Sequence, residues 1–185
     1  MTADRTPGNV PSRPAHQYDF FISHVAEDTE DVKRLKSEII KRTRRRPGPE
    51  LNCFLDSENW EIGTDAYLYR HYLLKSRFMI AWITPSYLKN KRGWVWFELR
   101  DAEILEERYN AEHGSASGLI LYYIAPVFRG VGMKQVDPTP LHRYSQRGLL
   151  KTGREYSLAQ IAKTIIAFYD QEIRKRTSPP AGPPQ

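Results

Sequence analysis

The sequence predicts an α/β domain with a central parallel sheet of about five strands and helices on both faces. Short apolar runs rich in aromatic and β-branched residues recur along the chain, and runs of that kind are what strands buried on both faces look like. Stretches with helical periodicity separate them, and strand–helix alternation closes into a parallel sheet through right-handed crossovers. Loops with turn and capping residues follow the runs, which is where such sheets place their ligands.

The elements follow in order. "YDFFIS" (18–23), "LNCFLD" (51–56), "RFMIAWIT" (77–84) and "GLILYYIAPVF" (118–128) are the strand candidates, and "RGLL" around Leu149 is a short fifth. Between the first two, "AEDTEDVKRLKSEIIKR" places Val32, Leu35 and Ile39 on one face. Residues 28–31 there supply a cap and first-turn acids. "TDAYLYRHYLLKS" is a helix capped by Thr64, and "WVWFELRDAEILEERYN" is another, entered from the loop "LKNKRG". The last long helix, "SLAQIAKTIIAFYDQEI", carries Leu158, Ile161, Ile165 and Phe168 at the spacing of a buried stripe.

The length of 185 residues suits one domain with its own core. Residues 1–17 contain Pro7, Pro11 and Pro14 with almost no large apolar side chain, and 175–185 contain Pro179, Pro180, Pro183 and Pro184. Neither segment buries enough surface to offset its ordering entropy, so both read as disordered tails around a domain at 18–174. No apolar run approaches a membrane span and no secretory leader is visible, which predicts a cytoplasmic protein with no membrane partner. Cys53 is the lone cysteine, so an internal disulfide is excluded.

The formal charge is +6 and the pI near 9.4, with a concentration in "KRTRRRP" (41–47) and more in "IRKR" near Arg174. A basic run at a helix C-terminus suits the macrodipole as a solvated end, and on the sequence that reading is preferred to a nucleic-acid partner.

The loops carry little metal or phosphate chemistry. A phosphoacceptor site needs acids after the first strand and an aspartate after the third, where this chain has Ser23, His24, Thr84 and Pro85. A dinucleotide fold needs a Gly-rich turn after the first strand, and none is present. Ser23 and His24 are adjacent, but neighbours leaving a strand point apart, so they form no nucleophile and base pair; Ser23 reads as a turn cap and His24 as partly exposed. The remaining histidines show no metal spacing, and no metal site is expected. "GWVWFELRDAEI" is different, because Trp94 and Glu98 lie four apart and share a helix face. Such a carboxylate is either solvated or held partly dry for chemistry, with Trp96 and Phe97 facing elsewhere as core.

Together "YDFFISHVAED", "CFLDSENWEIGTD" and "SRFMIAWITPSYLKNKRGWVWFELRDAE" resemble the TIR (Toll/interleukin-1 receptor) domain, over roughly residues 18–173. The resemblance implies a flavodoxin-like fold in which these segments are the first strand and loop, the second strand with the BB loop, and the third strand with the catalytic helix. In the NAD-cleaving branch a tryptophan precedes the catalytic glutamate by four positions, as Trp94 precedes Glu98. Glu61 and Gly63 match that branch's BB-loop motif, after an aspartate corresponding to Asp56. The implied catalytic residue is Glu98, and the implied substrate contacts are Phe21, Ser23, His24, Asp56, Trp60, Glu61, Thr84, Tyr87 and Trp94, while Glu58 reads as solvated. One departure is that His24 and Val25 stand where some members place arginines for the phosphates, which leaves His24 or the backbone for that task.

The implied activity is that of an NAD⁺ glycohydrolase or ADP-ribosyl cyclase with NAD⁺ as substrate and no further cofactor. The wording of "ISH" and "ED" is closer to bacterial TIR proteins than to receptor tails, and similar standalone bacterial TIR proteins work in anti-phage defence, including the Thoeris type. That implies homo-oligomers or filaments on activation and a separately encoded sensor or effector. The alternative is a non-enzymatic TIR adaptor acting by TIR–TIR assembly.

Overall fold

A computed structural model describes residues 16–55, 68–90, 93–113, 120–137, 139–145, 147, 149–150 and 153–177, with the side chain of residue 113 left aside. Its sheet consists of β1 (Tyr18–Ser23), β2 (Cys53–Phe54), β3 (Ser76–Ile83) and β4 (Ile124–Phe128), all parallel, in the order β2-β1-β3-β4. The register pairs Phe20 with Cys53 and Phe78, and Ile80 with Ala125. The helices are α1 (Thr29–Arg44), α2 (Leu68–Leu74), α3 (Pro85–Lys89), α4 (Trp94–His113), α5 (Met133–Val136), α6 (His142–Ser145) and α7 (Leu158–Thr177), with a 3-10 turn at Ala26–Asp28 before α1.

Side chains alternate across a strand, and the alternation divides the core. Phe20, Ile22, Phe78, Ile80, Trp82 and Val127 face α1 and α7, where Val32, Leu35, Ile39, Ile161 and Ile165 close the layer. Phe21, Met79, Ala81, Ile83 and Phe128 face the other way, toward Tyr69 and Leu73 of α2 and Val95, Leu99 and Ala102 of α4. The apolar stripes expected of α1 and α7 are therefore the faces that pack.

The fifth strand expected at "RGLL" is not formed: residues 149–150 are bent, and among the described residues the sheet has four strands. Arg147 and Leu149 instead meet Tyr122, Ile124 and Phe168 around a cavity of about 250 Å³, so side chains and not a backbone ladder face β4. Pro126 fits an edge strand, since it has no N–H to give a neighbour.

β4 also starts later than its apolar run. Asn110 bonds the Leu121 carbonyl at 2.7 Å and the Leu121 N–H at 2.8 Å, Glu172 accepts from the Tyr122 N–H at 2.9 Å, and Glu106 from the Tyr123 N–H at 2.7 Å. Buried backbone groups must be paired, and here helix side chains pair them where a ladder was expected. α7 continues to Thr177 past the expected boundary at 174, with Lys175 bonded to Glu172 and Arg176 to the Tyr122 carbonyl. Among the described residues no helix is long and apolar enough to cross a membrane.

Candidate functional site

Because the strands are parallel, their carboxyl ends share one edge of the sheet. Ser23 ends β1, Thr84 follows β3, Arg129 follows β4, and α4 begins near that edge at Trp94. An order of 2-1-3-4 reverses direction between β1 and β3, which is the crevice where folds of this kind bind ligands.

Glu98 lies on the sheet-facing side of α4 with only 4% of its surface exposed. Its neighbour is Tyr87, wholly buried, whose hydroxyl donates to the Val95 carbonyl at 3.1 Å. Thr84 caps α3 by accepting from the Tyr87 N–H at 3.2 Å, and Pro85 starts the helix with the right φ, so a short capped turn holds Tyr87. Burial pushes the Tyr87 phenol well above its ordinary value and the charge of Glu98 pushes it further, while the Ser23 hydroxyl acts the opposite way. Ser23 Oγ lies beside Tyr87 yet forms no hydrogen bond of ordinary geometry. Ser23, Tyr87 and Glu98 thus gather on the α4 side of the edge, with Tyr87 neutral.

His24 turns to the opposite side, where its Nε2 is 3.3 Å from Thr29 Oγ1. It is buried, contrary to the expectation of partial exposure, because the turn into α1 folds over it. Ser23 does not cap that turn, which starts at Val25 without a side-chain cap. Nor does Asp28 cap α1: its carboxylate accepts the Thr84 hydroxyl at 2.6 Å and ties α1 to the end of β3. Burial raises the Asp28 pKa, partly offset by Thr84 and His24. Arg129 pairs with Asp31 at 3.2 Å and sits 5.4 Å from the Trp82 ring centroid.

The aromatic residues around Glu98 are arranged differently from the expectation. α4 buries Val95, Glu98, Leu99, Ala102 and Glu106, so with 3.6 residues per turn Trp94, Phe97 and Ile104 fall on the outer side. Trp94 is 45% exposed and packs near Tyr69 and Phe97, at centroid distances of 6.1 Å and 5.7 Å. Phe97, expected in the core, is 52% exposed. Trp96 is half-buried against Tyr87. Phe21 stacks on Phe54 at 5.5 Å inside the core, below the edge and not on it. Asp56, Glu58, Trp60, Glu61, Gly63 and Thr64 lie outside the described residues.

Arg129 and the tie from Asp28 to Thr84 are what the fold adds to the residues expected at this edge. Arg129 was marked by its place directly after a strand run, the same rule that selected Ser23 and Thr84.

The strand order and the crossover helices define a flavodoxin-like α/β domain, the fold class the sequence predicts. No protein-family model matches the sequence. No curated protein matches it. Among solved structures, the chain is similar to a metazoan TIR-STING receptor from C. gigas, with 21% identity over 85% of this chain and 43% of that one, at a TM-score of 0.53. It is likewise similar to that receptor in complex with 2′,3′-cGAMP, with 19% identity over 83% of this chain and 41% of that one, at a TM-score of 0.54. The chain spans about two fifths of the length of those receptor chains, and at this identity the likeness is one of fold.

Proposed function

We propose that this chain is a TIR-domain NAD⁺ nucleosidase that cleaves the bond between nicotinamide and ribose. The observation that carries the reading is Glu98, a carboxylate buried at the carboxyl edge of the sheet beside Tyr87 and Ser23. Buried ionisable groups at such a crevice are candidates for chemistry.

Glycoside cleavage of a neutral sugar takes two carboxyl groups, one of them to protonate the leaving oxygen. Nicotinamide bound to ribose is already a cation. When the C1′–N bond breaks, the electron pair leaves with the ring nitrogen, nicotinamide departs neutral, and no proton is needed. A single carboxylate that holds the ribose hydroxyls and faces the oxocarbenium-like carbon meets the requirement, and a site shielded from water strengthens its attraction. Water arriving at C1′ gives ADP-ribose and releases a proton, whereas a nucleophile within the same molecule gives a cyclic product. Tyr87, neutral beside Glu98, donates its one hydroxyl proton to the Val95 carbonyl and does not act as a base.

In this reading Arg129, a permanent cation directly after β4, supplies positive charge for the pyrophosphate; it lies on the same α1 side of the edge as His24 and exchanges Asp31 for the phosphates when the dinucleotide spans the edge. Arg129→Gln is expected to raise KM for NAD⁺ several-fold with kcat nearly kept, measured by steady-state nicotinamide release; an unchanged KM would remove Arg129 from the site. The same reading includes a role in bacterial anti-phage defence with a separately encoded sensor or effector.

A second reading, a non-enzymatic module that works by TIR–TIR assembly, is favoured by the exposed Trp94, Phe97 and Ile104 on α4 and Leu68 on α2. It predicts that Glu98 is dispensable while Phe97 is required. Purified chain with NAD⁺, beside Glu98→Ala, separates the two.

A further inference from the structure

We propose that the amino-end edge of the sheet, opposite Glu98, is a docking surface for the phosphodiester backbone of a nucleic acid. The last turns of α1 carry Lys41, Arg42 and Arg44, followed by Arg45 and Arg46, and the last turn of α7 carries Arg174, Lys175 and Arg176. In sequence these are distant runs. In the fold they meet: Arg46 reaches Asp170 of α7 at 2.5 Å, across 124 positions. Arg77, at the start of β3, joins them through Asp19, which it faces at 3.5 Å and which also accepts from Tyr169 at 2.7 Å.

Basic residues ending one helix complement its macrodipole, and for α1 alone that account is sufficient. It gives no reason to bring a second basic helix end and a strand arginine alongside. Like charges collected on one edge oppose folding and raise a positive potential that a polyanion relieves. Local carboxylates offset part of the charge, as Glu38 does for Arg42, Glu50 for Arg44, Asp170 for Arg46, Asp19 for Arg77 and Glu172 for Lys175. Lys41 and Arg45 are exposed and have no carboxylate partner among the described residues, and with Glu38 and Arg42 they line a groove of about 340 Å³. A nucleic acid suits the edge better than a membrane, because neither α1 nor α7 contributes an exposed large apolar residue to enter lipid. The surface lies at the amino ends of the strands, the opposite edge from the Ser23 and Thr84 ends beside Glu98, so the proposal does not rest on NAD⁺ cleavage.

The test is fluorescence anisotropy of the full chain with a labelled duplex of roughly 20 base pairs, between about 50 and 200 mM salt. The expected result is an affinity that falls linearly on a log–log plot against salt, with a slope of about −0.9 per phosphate neutralised. Lys41→Glu combined with Arg45→Glu should weaken binding at least about tenfold and flatten the slope. A second pair, Lys134→Glu with Arg154→Glu, makes the same change of net charge on exposed residues away from this edge and should leave binding within about twofold. Circular dichroism checks that both variants are folded. No binding at the lowest salt, equal loss in the two variants, or binding to phosphatidylserine vesicles without binding to the duplex would each overturn the proposal.

Discussion

At the scale of single residues, two carboxylates near the sheet's carboxyl edge, Glu98 buried and Asp28 half-buried, have different work. Glu98 sits under the edge with Tyr87, while Asp28 ties α1 to Thr84. Burying a charge is unfavourable, and Asp28 shows it in a raised pKa. The sign is definite. A raised folded pKa means that the unfolded chain gives up its proton first as pH rises, so Asp28 lowers stability once pH passes the ordinary aspartate range. Asp28→Asn keeps an oxygen for the Thr84 hydroxyl and removes the charge. Its thermal unfolding is expected at a higher temperature than the parent near pH 7, with the gap closing as pH falls below the aspartate range; a variant less stable near neutrality would contradict this. The residues were partly legible: strand ends selected Ser23 and Thr84, whereas the face that Trp94 and Glu98 were expected to share is divided, with Glu98 buried and Trp94 turned outward. Exposure was not legible, since spacing cannot say which side of α4 meets the sheet, and Phe97 was assigned to the core for that reason.

At the scale of elements, α4 places Glu98 and must be held against the sheet despite exposing Trp94 and Phe97. Asp101 supplies much of the hold by accepting from the Tyr69 hydroxyl at 2.6 Å and from two nitrogens of Arg70 at 2.6 and 2.9 Å, which joins α4 to α2. Arg70 lowers the Asp101 pKa, and Tyr69 is pushed up to about 12 by burial and by Asp101. Asp101→Ala should cost about 1–2 kcal/mol, mostly the Tyr69 bond, because Arg70 is exposed and its pairing is screened. That corresponds to a fall of a few degrees in the unfolding midpoint. Because the folded pKa is depressed, the loss should be full at neutral pH and shrink as pH falls through that depressed value. Helix faces were legible because burial on α1 and α7 follows a simple period. The end of the sheet was not: Leu121 to Tyr123 read as strand, but Asn110, Glu172 and Glu106 pair their N–H groups from α4 and α7, and of their carbonyls that of Tyr123 accepts from Met79 of β3. Such long-range substitutions leave no local signal.

At the scale of the molecule, the sheet separates two functions proposed for its opposite edges. The carboxyl edge gathers Ser23, Tyr87 and Glu98, and the amino edge gathers the basic ends of α1 and α7 with Arg77. The parallel sheet and its helices on both faces were readable because continuous apolar runs and amphipathic stretches obey different periods. The meeting of two basic runs was not, since only packing of α7 beside α1 brings them together. The central claim is that Glu98 cleaves NAD⁺, and the most direct measurement is chromatographic: nicotinamide and all ADP-ribose products from the concentrated chain and from Glu98→Ala. The expected result is nicotinamide release by the parent that falls by about two to three powers of ten in the variant, with both folded. Equal release by the two proteins, or none from the parent when it is concentrated enough to assemble, would contradict the claim.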